Sequence, residues 1–132
     1  VEYKVVMSDG SDRTGFWGRV GEGLGAGPKL VSGGKVSYST ESAKAEGFTE
    51  AKILSMSSAR SGLALTKDGN LLMATCAAAT MAQFAQVMQA MGAVEAMNLD
   101  GGASSGLVYG GEYLTKPGRA LSNALVVTAY ER

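Results

Sequence analysis

The chain has 132 residues, enough for one domain with a real core. Its 45% hydrophobic and 18% charged residues read as globular rather than disordered. Twelve basic residues balance twelve acidic ones, so no net field draws it to nucleic acid or an anionic membrane surface, and no apolar run approaches the roughly 20 residues of a membrane span.

The first segment, Val1 to Met7, reads as a strand, without the layout of a signal peptide. Residues 8–28 are turn-rich and polar. Within them Gly21-Glu22-Gly23-Leu24-Gly25-Ala26 loosely matches a dinucleotide-binding glycine pattern. That pattern must follow a strand and open a helix, and Pro28 with another strand-like run follows instead. Residues 29–38 read as two short strands around Gly33-Gly34. Gly34-Lys35 lacks the Ser or Thr that a phosphate-binding P-loop places after its lysine.

Residues 39–50 hold a short helical turn, weakened by Gly47, and AKILSMS (51–57) is a strand candidate. GLALT, KDGN and LLMATC then make a β-hairpin turning at Asp68-Gly69. The principal helix spans 80–92. Thr80 and Gln83 form a capping-box pattern, Gly92 stops the helix, and Met81, Phe84, Ala85, Met88 and Met91 share one face. VEAMNL is a strand, SGLVYGGEYL a hairpin turning at Gly110-Gly111, and SNALVVTAYE (122–131) a closing strand. The expected fold is one α+β domain, 1–132: a mixed, largely antiparallel sheet of seven or eight short strands with one amphipathic helix.

Histidine is absent and cysteine occurs once. His-based triads, imidazole metal sites, internal disulfides and multi-thiolate zinc sites are therefore excluded. Cys76, in LLMATCAAA, reads as a small core residue. Acid–base work falls to Asp, Glu, Lys or Tyr.

MNLDGGASSG (97–106) is the stretch that carries chemistry. A strand ending in Asp100 brings a carboxylate to the sheet's edge. Gly101 and Gly102 let the backbone turn and leave N–H groups open to a ligand oxygen, while Ser104 and Ser105 add hydroxyls. Such a set suits a sugar hydroxyl or a phosphate oxygen. A plain strand-to-strand turn with an Asx-type bond from Asp100 fits the same composition equally well.

Four pieces carry a resemblance: GAGPKLVSGGKV (25–36), ARSGLALTKDGNLL (59–72), TMAQFAQVMQAMGAVEAMNLDGGASSGLVYGG (80–111) and GRALSNALVV (118–127). In type and order they resemble the phosphodiester glycosidase family. That family has a Gly-Pro-x-Leu-Val segment, an Arg-Thr-Ala strand, Asn-Leu-Asp-Gly-Gly-Gly-Ser-Ser and a closing Arg-x-x-Ser-Asn-Ala-Leu strand. Ala103 stands where the family has a third glycine, a mild departure unless that position needs positive φ. Ser61 replaces the usual threonine and keeps the hydroxyl. The family's Asn-Gly-Gly-Phe-Phe-type motif has no counterpart; Thr14-Gly15-Phe16-Trp17 is a poor match. The expectation is a chain resembling the C-terminal part of that domain.

The resemblance implies hydrolysis of a sugar-1-phosphodiester with release of free sugar, in an extracytoplasmic setting. It assigns Asp100 as the catalytic carboxylate, and the Gly101 and Gly102 amides with Ser104 and Ser105 to phosphate or sugar oxygens. Arg60 and Arg119 are candidate phosphate clamps, because guanidinium matches phosphate bidentately. Arg60 also fits a strand cap or a surface pair with Glu50, and Arg119 the rim of a loop. Asn98 faces either the site or solvent, and Asn123 either orients the Asp100 loop or closes a turn. Glu22, Glu95 and Glu112 are the available second acids. No cofactor is implied; Asp100 and Ser104 are hard oxygen donors of the kind calcium takes, on the thin basis of one carboxylate. Two rivals stand beside hydrolysis: a non-catalytic glycan or cell-wall binding module, and a structural subunit whose sheet a second chain completes.

Overall fold

A computed structural model describes residues 20–128. The expected strand at Val1 to Met7 and the first part of the 8–28 segment lie outside them. Seven strands are described: β1 Lys29–Ser32, β2 Lys35–Val36, β3 Ser58–Thr66, β4 Leu71–Ala79, β5 Ala93–Leu99, β6 Leu107–Tyr109 and β7 Glu112–Thr115. Three helices accompany them: α1 Thr40–Ala45, α2 Ala51–Leu54 and α3 Met81–Ala90. The fold is α+β. One five-stranded sheet has the order β2-β1-β5-β3-β4 and a separate hairpin pairs β6 with β7, every pairing antiparallel.

The glycine turns lie where the sequence puts them. Gly33 and Gly34 take φ of +57° and +77° between β1 and β2, Gly69 takes +80° between β3 and β4, and Gly110 and Gly111 take +59° and +84° between β6 and β7. Only glycine enters this region cheaply. Within residues 39–50, α1 opens on a capping box between Ser39 and Ser42; Gly47, at φ +93°, follows its end as a stop.

The α3 helix begins at the expected box, with the Thr80 hydroxyl accepting from the Gln83 amide at 3.2 Å and the Gln83 side chain accepting from the Thr80 amide at 2.9 Å. It buries Met81, Phe84, Ala85 and Met88 against Leu30, Val31, Ala64 and Ala96 of the sheet. Burying Phe84 and Met88 contributes roughly 1.5–3 kcal/mol each. Met91 does not join them: it caps the helix end and stays exposed. Cys76 is partly buried against this core.

Two expected strands are corrected. AKILSMS contains the four-residue helix α2, because long-range donors satisfy its carbonyls: Tyr38 Oη reaches the Ile53 carbonyl at 3.0 Å, and Arg60 Nη2 reaches those of Lys52 and Met56 at 2.9 and 2.6 Å. Through residue 128 the SNALVV run is not a strand, and Leu125, Val126 and Val127 are exposed. A β-branched run forms a strand only where an edge accepts it, and no described strand pairs with this one. Its remaining residues lie outside those described.

Candidate functional site

The sheet topology determines which residues meet. β5 is the middle strand, and its antiparallel register with β3 sets Leu99 opposite Ser61 and Asn98 opposite Gly62. Asp100, the next residue, therefore emerges beside the start of β3, where Ser58, Ala59 and Arg60 lie. Gly101 is glycine because of that proximity: a Cβ there would stand 2.7 Å from the Ala59 carbonyl oxygen. Gly102, at φ +61°, then opens a single 3-10 turn, Gly102–Ser104. Ala103 has no positive φ, so replacing the family's third glycine costs the backbone nothing here.

The β6–β7 hairpin returns the chain to this turn. Thr115 Oγ1 lies 2.6 Å from Thr75 Oγ1 of β4, and the Gly118 amide donates to the Ala103 carbonyl at 2.8 Å. Arg119 is thereby laid over the turn. Its Nε donates to Ser104 Oγ at 2.7 Å and its Nη2 to Asp100 Oδ2 at 3.2 Å. The two side chains of this ion pair are 74% exposed for Asp100 and 54% for Arg119. At such exposure the pair adds at most about 1 kcal/mol to stability, so its importance is positional.

Asp100 is held below the usual carboxylate range. The Ser104 hydroxyl is the largest cause, with the Gly101 N–H and the Arg119 guanidinium adding to it against a partial desolvation. The result is an exposed carboxylate that stays ionised, flanked by a hydroxyl and a guanidinium that reach each other.

Asp100, Gly101, Gly102, Ser104 and Arg119 are thus brought together; Arg60, Asn98, Ser105 and Asn123 are placed otherwise. Arg60 is 1% exposed and is corrected from clamp to strut: its Nε donates to the Ala79 carbonyl at 2.9 Å and its Nη2 to the two carbonyls after α2 begins. It makes no surface pair with Glu50. Burial pushes its guanidinium down from the ordinary value, and the neighbouring Tyr38 opposes that shift. Asn98 is also buried. Its Nδ2 donates to the Gly27 carbonyl at 3.0 Å, tying β5 to the segment before β1, while its Oδ1 has no protein partner.

The Gly101 amide is occupied by Asp100 Oδ1 at 3.0 Å, so it is not open to a ligand. This contact is to the next residue, whereas an Asx-type bond would run from the Gly102 amide to the Asp100 side chain. Ser105 is buried with an unpartnered hydroxyl. Asn123 is exposed and outside any strand or helix.

The candidate second acids serve elsewhere. Glu95 accepts from the Gly33 amide at 2.9 Å and pairs with Lys29 at 3.5 Å, at the far end of β5 from Asp100. Glu112 sits at the tip of the β6–β7 hairpin and Glu22 in an exposed segment. Among the described residues, no group of three His, Cys, Asp or Glu side chains is placed to hold a metal ion. No helix among them is long and apolar enough to cross a membrane.

Two residues the sequence reading passed over also meet the turn. A Cβ at Gly102 would lie 2.8 Å from Lys52 Nζ and 3.7 Å from Ser58 Oγ. No spacing signal marks them, because α2 and the β3–β5 register bring them there.

The arrangement is an exposed carboxylate at the end of a central strand, on a double-glycine turn closed by an arginine. The model of the phosphodiester glycosidase family matches residues 3–128, and the chain belongs to that family. A crystal structure of a hypothetical protein from Synechocystis is similar at 37% identity and a TM-score of 0.62, over 71% of this chain and 18% of that one. The zebrafish N-acetylglucosamine-1-phosphodiester alpha-N-acetylglucosaminidase catalytic domain, auto-inhibited by its pro-peptide, shares the fold at 21% identity and a TM-score of 0.53. That likeness covers 71% of this chain and 34% of that one. The chain thus spans well under half of either solved relative. No curated protein sequence matches it.

Proposed function

We propose that this chain carries the carboxylate centre of a phosphodiester glycosidase and hydrolyses a sugar-1-phosphodiester. Asp100 takes a proton from water as the water oxygen attacks the anomeric carbon. The bond from that carbon to the phosphate oxygen breaks, and its electron pair leaves with the phosphomonoester. Free sugar is the other product. A phosphomonoester is a weak base, with a second pKa near 6, and departs without the general acid that an ordinary glycoside requires. A single carboxylate therefore meets the chemical need. Ser104 and Arg119 keep it ionised and offer donors to oxygens of the substrate. The extracytoplasmic setting belongs to this proposal and is tested by fractionation of the source cells.

The observation that carries the reading is the exposed Asp100 carboxylate held by Ser104 and Arg119 at 2.7–3.2 Å along the arginine. Its test is sugar release from a panel of p-nitrophenyl-phospho-sugar diesters by the wild type and by Asp100→Asn. Release by the wild type and its loss in the variant supports it. A folded wild type that releases nothing, or an equally active variant, ends it.

The single carboxylate of the exposed cluster favours a second reading, a non-catalytic glycan or cell-wall binding module on the same scaffold. It predicts sugar-phosphate binding without release of sugar.

A further inference from the structure

Lys52 and Ser58 reach Gly102 from a part of the chain that the Asp100 cluster does not use. Lys52 belongs to α2 and Ser58 opens β3, whereas Arg119 arrives from the segment after β7. Lys52 is exposed, and an ammonium on a flexible four-carbon stem ordinarily extends into water to keep its hydration. Here its head lies on a glycine backbone, so close that any side chain at position 102 would displace it. The salt bridges among the described residues join Lys29 to Glu95 and Arg119 to Asp100, so no described carboxylate draws Lys52 there. The Ser58 hydroxyl faces the same glycine. The turn's Gly101, Ser104 and Ser105 amides are taken by Asp100 Oδ1, Gly101 O and Gly102 O, which leaves those of Gly102 and Ala103 with no described acceptor.

We propose that Lys52, Ser58 and the Gly102 backbone form an anion subsite for the phosphate of the diester. Naming its occupant as the substrate's phosphate rests on the hydrolase reading above. The ionised Asp100 carboxylate repels a phosphate oxygen. The phosphate therefore needs a cation that is not already neutralised by that carboxylate, and Lys52 supplies one. The sugar is left to the Asp100 side. Lys52 then acts as a specificity residue: an ordinary glycoside, without the phosphate charge, gives it nothing to bind.

The subsite is tested without turnover, by amide NMR during titration with inorganic phosphate. The Gly102 and Ala103 signals should shift in the wild type and in Asp100→Asn. In Lys52→Gln the affinity should fall roughly tenfold, the loss of one charge-assisted anchor. Lys44→Gln, on exposed α1, controls for net charge and should match the wild type. In hydrolysis, Lys52→Gln should raise KM by a similar factor with little change in kcat, and Lys52→Arg should recover part of the loss. Equal phosphate binding by Lys52→Gln and the wild type, or signals that do not move at all, overturns the proposal. Responding amides in a wild type inactive on every diester would sink the hydrolase reading and leave the anion subsite standing.

Discussion

Arg60 Nη2 donates to the carbonyl of Lys52 at 2.9 Å, so a buried guanidinium fixes the residue whose ammonium lies on Gly102. The arginine expected to grip a ligand instead holds the backbone of a lysine that does reach the turn. Its three hydrogen bonds go to main-chain carbonyls on β4, in α2 and just after α2, which makes it the junction of three segments below the candidate site.

Removing that junction should cost more than a surface arginine does. Arg60→Met leaves three buried or half-buried carbonyls without a donor, and we expect a loss of about 3–5 kcal/mol in urea unfolding. The surviving folded fraction should show a raised KM for diesters, because Lys52 is no longer held. A change under about 0.5 kcal/mol, the range of ordinary surface substitutions, contradicts this account.

The pH dependence follows from Ser104. Asp100 titrates below the usual carboxylate range, chiefly through that hydroxyl. The stabilisation tied to its ionised form is present above the ordinary carboxylate pKa and is lost as pH falls through the lowered one. The acid limb of kcat/KM should therefore lie below the usual carboxylate range and move to higher pH in Ser104→Ala. An unmoved limb would mean that Asp100 is not the titrating base.

Positions 102 and 103 should respond oppositely to substitution. Gly102→Ala meets both a φ of +61° and the Lys52 head, and should lose roughly 1–2 kcal/mol together with phosphate binding. Ala103→Gly, at a position without positive φ, should leave binding unchanged and stability equal or slightly lower. Thermal melts and phosphate titrations on the pair decide it.

Under the helix, Gly62→Ala is expected to overpack. Its Cβ would stand 2.8 Å from Phe84 Cε1 and 3.0 Å from Met88 Cε. A loss of roughly 1–3 kcal/mol in denaturant midpoint analysis is the expected outcome, and a neutral effect would show that α3 yields freely.

Local signals in the sequence were enough for the β3–β4 hairpin and for α3, because Asp68-Gly69, the Thr80–Gln83 box and Gly92 act within a few residues of themselves. Distance defeated the rest. AKILSMS is β-like in composition and becomes helical through Tyr38 and Arg60, donors that only the fold delivers. SNALVV has a strand's composition, but an edge to pair with is a property of the sheet. At the site, Asp100, Ser104 and the double glycine are legible as one contiguous motif. Arg119 is legible only through family resemblance. Lys52 is invisible, because its neighbour Gly102 is 50 positions away and meets it only through the β3–β5 register.

Gly62 has a consequence for the height of the whole site. With only hydrogen beneath the Phe84 ring, the helix layer rests directly on the backbone of β3, the strand that also carries Ala59 and Arg60 under the Gly101 turn. The turn that carries Asp100 thus rests on the same strand against which Phe84 and Met88 press. An apolar contact with no chemistry of its own thereby bears on where that carboxylate stands.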